Sequence, residues 1–190
     1  MSFEIEIKLR LPADVSKIRR TLRKLGFRIA RARSHETNVL FDHPKNPLGK
    51  QGKLIRIRRV GPDTVLTYKG PSKSSRYKKR QELEVQVSDA DMLDDIFQHL
   101  GYQPVFRYEK YRTEYVKTSS PGGKVLLDET PVGNFLELEG SPRWIDTTAR
   151  LLGFAKTDYI TASYGYLHML FCREHGIQRK DMLFTSQRKA

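Results

Sequence analysis

Charged side chains in this sequence occur as pairs that lie two residues apart and carry the same sign. The acidic pairs are Glu4 with Glu6, Glu82 with Glu84 and Glu137 with Glu139, and the basic pairs are Arg56 with Arg58 and Lys110 with Arg112. Grouped carboxylates, to which Asp128 can be added, are oxygen ligands of the kind that Mg²⁺ and Mn²⁺ prefer. Grouped guanidinium and ammonium groups bind phosphoryl oxygens. A polyphosphate with bound metal would satisfy both sets of side chains at once.

Alternating hydrophobicity predicts that these pairs lie on β-strands. In residues 3–11, FEIEIKLRL, apolar residues occupy every second position and charged residues lie between them. The same alternation recurs in residues 36–42, 54–60, 64–70, 80–87, 105–116, 124–129 and 134–140. For residues 3–11 alone, a charged face in solvent is the commoner explanation. The sorting of charge by sign in the other strands favours a shared interior, because solvated faces would mix the two signs.

Eight strands of this kind can close into a barrel whose charged faces line one lumen, with room for side chains or one small ligand. Like charges crowded into such a lumen must be neutralised by opposite charges, metal or ligand. We therefore expect one set of cations to share the lumen with the acidic pairs and Asp128. These cations are Lys8, Arg56, Arg58, Lys69, Arg80, Lys110 and Arg112.

Helical periodicity predicts four helices packed outside the barrel, at residues 13–25, 89–100, 142–152 and about 157–174. Ser88 and Ser141 are the expected N-caps of the second and third helices. A Glu-x-Glu strand, a helix and a Leu-Gly-aromatic sequence follow one another three times, which indicates a pseudo-symmetric sheet. The predicted fold class is α+β, with an eight-stranded antiparallel β-barrel. A single domain is expected over residues 1–176, followed by a basic C-terminal tail over residues 177–190.

The composition limits the partners and the location that the sequence supports. The net charge of +13 suits an anionic partner. Cys172 is the single cysteine, so neither an intrachain disulfide nor a cysteine zinc site can form. No apolar run approaches the ~20 residues of a membrane span, and the acidic N-terminal residues do not match a signal peptide. The sequence therefore predicts a cytoplasmic protein with no membrane partner.

The charged motifs, taken in order, resemble the signature of the CYTH superfamily, whose members are also called triphosphate tunnel metalloenzymes. The matching stretches are Glu4-x-Glu6-x-Lys8, IRIR at 55–58, TYKGP at 67–71, RQELE at 80–84, EKYR at 109–112, LLDE at 126–129, FLELEG at 135–140 and SYGYL at 163–167. The resemblance covers residues 1–171. Residues 100–115, LGYQPVFRYEKYRTEY, are especially similar to the branch named for class IV adenylate cyclases.

The resemblance implies an antiparallel tunnel that binds a triphosphate together with Mg²⁺ or Mn²⁺. By position, it implies that the main metal ligands are Glu4, Glu6, Glu137 and Glu139, with Glu82, Glu84 and Asp128 close by as ligands or as partners of ligands. It assigns the phosphates to Lys8, Arg56, Arg58, Lys69, Arg80, Lys110 and Arg112, and the catalytic roles to Glu4, Glu6, Lys8, Lys110 and Glu139. Asn38 stands where relatives often carry an acid. The basic stretch 70–80 is either a lid over the tunnel mouth or a solvated hairpin turn.

Three functional hypotheses remain at this point. The first is a class IV adenylate cyclase, which converts ATP to cyclic AMP and pyrophosphate, and the second is a triphosphatase acting on inorganic triphosphate, thiamine triphosphate or a nucleotide. The third is a non-catalytic polyanion or RNA binder. It is disfavoured because three carboxylate pairs would repel phosphate in the absence of metal. We favour the cyclase, on the branch resemblance alone. The expected partner is a small-molecule triphosphate, nucleic acid is disfavoured, and a homodimer is left open.

Overall fold

Eight strands close into one antiparallel barrel in the computed structural model of the chain, which describes residues 3–72, 76–119 and 121–185. The strands are β1 (Phe3–Leu11), β2 (Arg28–Asp42), β3 (Leu54–Val60), β4 (Asp63–Lys69), β5 (Lys78–Val87), β6 (Gln103–Val116), β7 (Gly123–Thr130) and β8 (Gly133–Gly140). Around the barrel they follow the order β1-β5-β4-β3-β2-β6-β7-β8. The predicted fold class is therefore confirmed.

Three neighbouring strands of the barrel carry the three acidic pairs. β1 lies between β5 and β8, with Glu4 opposite Arg80 and Glu6 opposite Glu139. Because successive side chains of a strand point to opposite faces, both carboxylates of a pair point to the same side of their strand. The threefold pattern in the sequence therefore brings the acidic pairs together on one part of the barrel wall.

In the part of the chain that the structure describes, four α-helices accompany the barrel, and two of them cover the outer faces of β1 and β8. The helices are α1 (Ser16–Lys24), α2 (Ala90–His99), α3 (Pro142–Leu151) and α4 (Tyr164–Glu174). In the largest hydrophobic core, Ile7 of β1 and Leu138 of β8 pack with Leu22 of α1 and with Trp144 and Ile145 of α3. This burial fixes the register of the acidic strands. A slip of one residue would bring the apolar residues into the lumen and turn the carboxylates outward.

The predicted start of the last helix is wrong. The helix was expected from about Thr157, but it begins at Tyr164, with the Ser163 hydroxyl accepting a hydrogen bond from the Tyr166 N–H. Before it, Ile160 exchanges two backbone hydrogen bonds with Lys8 of β1. β5 pairs with β1 only as far as Glu6, so this part of β1 has a free edge. The extended segment satisfies that edge, and helix cannot form there.

The N-cap of α2 also differs from the prediction. Asp89, not Ser88, is the cap, because its carboxylate accepts hydrogen bonds from the backbone N–H groups of Asp91 and Met92. The third helix is capped by Ser141 as expected. An aspartate at the N-cap adds a favourable interaction with the positive end of the helix dipole, which favours it over the neighbouring serine.

The second strand is twice as long as the sequence indicated. The prediction was 36–42, whereas β2 begins at Arg28. Its first half pairs only with β6 and contains two register shifts, while β3 pairs with it only at Thr37–Phe41. The side chains of this first half are mostly exposed arginine and alanine. It therefore lacks the buried alternate positions from which a strand is recognised.

The chain returns to the barrel after α4. Met182 is fully buried, and its N–H donates to the Arg107 carbonyl while its own carbonyl accepts from the Glu109 N–H. Residues 186–190 of the predicted tail, and residues 73–75 of the predicted lid or hairpin, lie outside the described residues. Within the described residues, no helix has the length and apolar character needed to cross a membrane.

Candidate functional site

The barrel lumen contains a cavity of about 150 Å³ whose walls are mostly charged. Eleven of the fourteen predicted site residues line it: Glu4, Glu6, Lys8, Arg56, Arg58, Lys69, Arg80, Lys110, Arg112, Glu137 and Glu139. The other three, Glu82, Glu84 and Asp128, form ion pairs with the lining cations. The structure therefore brings all the predicted site residues into one charged network, as the parity of the strands indicated.

Three carboxylates form a compact cluster on the wall made by β1 and β8. Oxygen atoms of Glu4, Glu6 and Glu139 all lie within 4.8 Å of one another. Burial and the neighbouring Glu4 carboxylate raise the pKa of Glu139 to about 7. The pKa of Glu139 is raised although Lys124 lies 3.0 Å from its carboxylate, so this carboxylate would gain from the further positive charge that a hard divalent cation supplies. The donor set therefore fits Mg²⁺ or Mn²⁺.

Glu82 and Glu4 make a second carboxylate contact beside this cluster. Burial and a hydrogen bond with Glu4 raise the pKa of Glu82 to about 8. Burial opposes ionisation of Glu4 as well, but the bond from Glu82 and the ammonium group of Lys69 outweigh it and lower the pKa of Glu4 to about 2. One proton shared between the two carboxyl groups accounts for both shifts. It also shows how closely the acidic strands approach each other.

The cluster leads to a stability prediction for the metal-free protein. The pKa of Glu139 is about 7 when folded against an ordinary value of 4.5, so its ionisation opposes folding increasingly as pH rises from about 4.5 to above 7. Glu139→Gln should therefore raise the melting temperature in chelator at pH 8 and change it little at pH 4.5. The gain should be on the order of 2–3 kcal/mol, measured by thermal unfolding across pH.

Glu137→Gln is the matched control for this prediction and should have the opposite sign. Burial raises the pKa of Glu137, but Lys8 and Arg112 outweigh burial and hold it well below its ordinary value. Its ionised form therefore stabilises the fold above about pH 4.5, and this contribution is lost as pH falls through the folded pKa. Equal effects of the two substitutions at pH 8 would show that the cluster is not short of positive charge.

Asp128 of β7, the strand next to β8, organises a group of cations beside the carboxylate cluster. Its carboxylate is fully buried and accepts hydrogen bonds from Lys110 at 3.0 Å, from the Arg112 guanidinium at 2.6 Å and from the Tyr164 hydroxyl at 2.7 Å. Arg112 also binds Glu137, and Lys8 lies 3.1 Å from the same glutamate. These contacts hold three cations at fixed positions, which suits the binding of a group with several phosphoryl oxygens.

A second group of cations extends the site along β3, β4 and β5. Arg56 donates to the Tyr108 hydroxyl at 3.3 Å and to the Thr67 hydroxyl at 3.0 Å. Lys69 pairs with Glu4 at 2.7 Å and with Glu82 at 2.6 Å. Arg80 donates to the backbone carbonyls of two glycines, Gly70 and Gly52. Each of these cations is held in place before any ligand binds, so little side-chain entropy remains to be lost on binding.

Sequence reasoning missed two charged residues of the tunnel, Glu36 and Lys78. Glu36 is 2% exposed and lies 3.5 Å from Lys110, and Lys78 lies 2.8 Å from Glu6. Both extend a predicted face by one step of the alternation, Glu36 from Asn38 and Lys78 from Arg80. The strand predicted at 80–87 began too late to include Lys78, whereas Glu36 is the first residue of the predicted strand 36–42 and its shared parity with Asn38 was overlooked. Parity along the full strands would have found both.

Tyr108 and Tyr164 are two further tunnel residues, and the sequence did not predict either as a site residue. Both line the cavity. The ring of Tyr164 lies about 5 Å below the ammonium groups of Lys8 and Lys110, so α4 contributes directly to the cation positions. Ser163 and Tyr164 belong to the SYGYL motif at 163–167, which could have been used to place the start of α4 at the lumen.

The cavity also has an apolar part. Leu40 of β2, Leu54 of β3 and Phe106 of β6 line it together with Gly165 of α4. Leu40 stands opposite Phe106 in the barrel register. An apolar surface next to a cation cluster suits a ligand that joins a phosphate chain to an organic ring.

The chain matches one protein family over most of its length and has two named relatives. The family model described as CYTH domain matches residues 2–163. A protein of Methanocaldococcus jannaschii, provisionally named an adenylate cyclase, is 32% identical over 138 residues, 73% of this chain and 77% of the relative. An adenylate cyclase of Aeromonas hydrophila is 31% identical over 115 residues, 60% of this chain and 56% of the relative.

Among solved structures, a protein from Hippeastrum has a similar fold. It aligns with a TM-score of 0.61 and 18% identity, covering 93% of this chain and 97% of its own. That protein is provisionally named an adenylyl cyclase, and a dominant triphosphatase activity is described for it. At this identity the likeness concerns the fold.

Proposed function

The chain belongs to the CYTH family, and from this premise we propose that it is a divalent-metal-dependent enzyme that converts ATP to cyclic AMP and pyrophosphate. The observation that carries the proposal is the juxtaposition, in one cavity, of a three-carboxylate cluster, a set of fixed cations and an apolar surface. These three parts correspond to the metal, the phosphates and the adenosine of one substrate.

Glu4, Glu6 and Glu139 would hold Mg²⁺ or Mn²⁺, with Glu137, Glu82, Glu84 and Asp128 nearby. Bound there, the metal supplies a Lewis acid that polarises a phosphoryl group. Lys78 and Lys8 approach Glu6 at 2.8 Å and 3.5 Å, so they orient this ligand and offset its charge. The assignment of Asp128 is better described as positioning, since both its oxygens already accept hydrogen bonds from tunnel cations or from Tyr164.

The phosphate chain would lie across the tunnel cations, which are Lys8, Arg56, Arg58, Lys69, Arg80, Lys110 and Arg112. They hold the α-phosphorus where the ribose 3′-oxygen can form a bond to it while the bond to the bridging oxygen of pyrophosphate breaks. The hydroxyl proton passes to a carboxylate of the tunnel wall. Lys8 and Lys110 stabilise the charge that develops on the phosphoryl oxygens, and the tunnel contributes positioning.

The apolar part of the cavity supports a nucleotide over inorganic triphosphate. Inorganic triphosphate is charged throughout and gains nothing from Leu40, Leu54 and Phe106, whereas adenosine can bury part of its surface against them. The names of both curated relatives support the same reaction. The site therefore supports a nucleotide substrate, while the choice of cyclisation over hydrolysis rests on the names of the relatives.

A triphosphatase is the second candidate, and the Hippeastrum structure favours it. In that reaction water attacks the terminal phosphorus, and the same cations hold the substrate in a different register. Phosphorus NMR of ATP and of inorganic triphosphate, each with Mg²⁺ and with Mn²⁺, separates the candidates. The cyclase yields cyclic AMP and pyrophosphate. Release of orthophosphate would replace the cyclase by the triphosphatase, and no turnover of either substrate would contradict the cyclase and a triphosphatase that acts on these two substrates.

Phe106→Ala tests the nucleotide assignment. The substitution removes the aromatic surface next to the proposed adenosine, so KM for ATP should rise about five- to tenfold, equivalent to ~1 kcal/mol of lost stacking or burial. Any turnover of inorganic triphosphate should be unchanged, and Val105→Ala, which replaces an exposed residue on the opposite face of the same strand, should alter neither. Steady-state kinetics measures all three, and an unchanged KM for ATP would show that the base binds elsewhere.

A further inference from the structure

The tunnel does not account for the positive charge of the chain. Its walls combine eight carboxylates with eight cations and thus carry no net formal charge: Glu4, Glu6, Glu36, Glu82, Glu84, Asp128, Glu137 and Glu139 with Lys8, Arg56, Arg58, Lys69, Lys78, Arg80, Lys110 and Arg112. The net charge of +13 is therefore distributed over the rest of the chain. Residues 17–33 alone contain eight arginines and lysines and no carboxylate.

Four of these cations line one groove on the outside of the barrel, which we call the arginine groove. It has a volume of about 490 Å³ and lies between α1, which contributes Arg19 and Arg23, and the first half of β2, which contributes Arg28 and Arg33. Its remaining lining residues are Phe27, Ile29, Ala32, Thr113 and Tyr115. Among the described residues, therefore, none that lines the arginine groove is acidic.

Two of the four arginines are available to a partner. Arg23 and Arg28 are exposed, and no hydrogen bond or ion pair of either side chain is found within residues 3–72, 76–119 and 121–185. Arg19 and Arg33 both bind Glu129, which fixes them on opposite walls of the groove. An adjoining groove that shares Phe27 adds two more cations, Lys117 and Arg143. Cations therefore line a second concavity next to the arginine groove.

We propose that the arginine groove binds single-stranded nucleic acid. Guanidinium groups pair with phosphate through two parallel hydrogen bonds, and a concave track with cations on both walls follows a flexible phosphate backbone. The exposed apolar side chain of Ile29 within the groove can contact bases without reading their sequence. The carboxylate pairs that argue against nucleic acid inside the tunnel lie outside this groove.

The geometry of β2 argues against two other anionic partners. A flat anionic bilayer cannot enter a concave groove. An acidic peptide could add a strand to the free edge of β2, but regular pairing needs an even ladder of donors and acceptors. Two register shifts, between Ile29 and Arg31 and between Arg31 and Ser34, interrupt that ladder. Nucleic acid needs no such ladder.

The test is fluorescence anisotropy with a labelled RNA of about ten nucleotides that carries a 5′-hydroxyl, so that its end cannot occupy a triphosphate site. If all four arginines contact phosphates, the logarithm of the affinity falls with the logarithm of salt with a slope of about −2.8. The affinity should then drop roughly 50-fold between about 50 mM and about 200 mM salt. Excess inorganic triphosphate should not displace the RNA.

The decisive variant is Arg23→Ala/Arg28→Ala, which should bind more weakly and lose only about sevenfold over the same salt range. Lys45→Ala/Lys50→Ala removes the same charge from exposed positions between β2 and β3 and should match the wild type. Thermal melting checks that both variants are folded. Equal weakening by the two variants, displacement by triphosphate, or binding of anionic vesicles or polyglutamate in place of RNA would each overturn the proposal.

Discussion

Glu6→Gln is expected to lower metal-dependent turnover at least a hundredfold while leaving the protein folded. Glu6 lies in the three-carboxylate cluster and stands directly opposite Glu139. Loss of a residue that only supports a metal ligand already costs 10- to 100-fold, so loss of a charged ligand should cost more. Glutamine keeps the shape of the side chain. Lys8 and Lys78 outweigh the effect of burial and hold the pKa of Glu6 well below its ordinary value, so the ionised side chain stabilises the fold, and the metal-free variant should melt at a lower temperature than the wild type at neutral pH.

A second measurement must show that the loss of turnover in Glu6→Gln comes from weaker metal binding. Binding of Mn²⁺ in the absence of substrate, followed by electron paramagnetic resonance, should weaken in Glu6→Gln in parallel with turnover. Asp63→Asn provides the control, because it removes one exposed carboxylate that pairs with Arg31 outside the tunnel. It should leave both Mn²⁺ affinity and turnover unchanged. Wild-type Mn²⁺ affinity in Glu6→Gln would remove Glu6 from the set of metal ligands.

Parity along the strands explains how much of the site could be predicted from sequence. In Phe3–Leu11 the buried residues Ile7 and Leu9 fix the outward face, so Glu4, Glu6 and Lys8 must point inward. The same reasoning holds for Arg56 on β3 and Glu137 on β8. The alternation of one strand alone favours a charged face in solvent, and the sorting of charge by sign over several strands is what favoured the lumen. What sequence could not supply was the order of strands, and hence the contact between Glu6 and Glu139.

Two of the failed predictions, the start of β2 and the start of α4, have a common physical cause, which is pairing with distant parts of the chain. The first half of β2 becomes a strand because β6 pairs with it, although its own residues are exposed. Residues near Ile160 are extended because β1 has a free edge there. In both places hydrogen bonds to a distant strand determine the local structure, and the propensities of the local residues do not reflect these bonds.

Two arginines of the tunnel look equivalent in the sequence but should respond differently to substitution. Arg112 binds both Asp128, which is fully buried, and Glu137. Arg112→Ala would leave these carboxylates short of a partner in the interior, a change that typically costs about 3–5 kcal/mol of folding free energy. Arg56 instead pairs with Glu84, which is about half exposed, and with Glu82, which keeps its contact to Lys69.

Arg56→Ala should therefore weaken triphosphate binding without unfolding the protein. Loss of one charge-assisted contact costs roughly 1.5–3 kcal/mol, so the affinity for ATP should fall about 10- to 150-fold, and the affinity for AMP, which lacks the outer phosphates, much less. Calorimetric titration of both nucleotides in the presence of Mg²⁺ measures the difference. Arg59→Ala changes an arginine three residues further along the same strand and on its outer face, where it pairs with Asp91, and should leave both affinities as they are. Equal losses for ATP and AMP in Arg56→Ala would mean that Arg56 holds the α-phosphate or the nucleoside and not the outer phosphates.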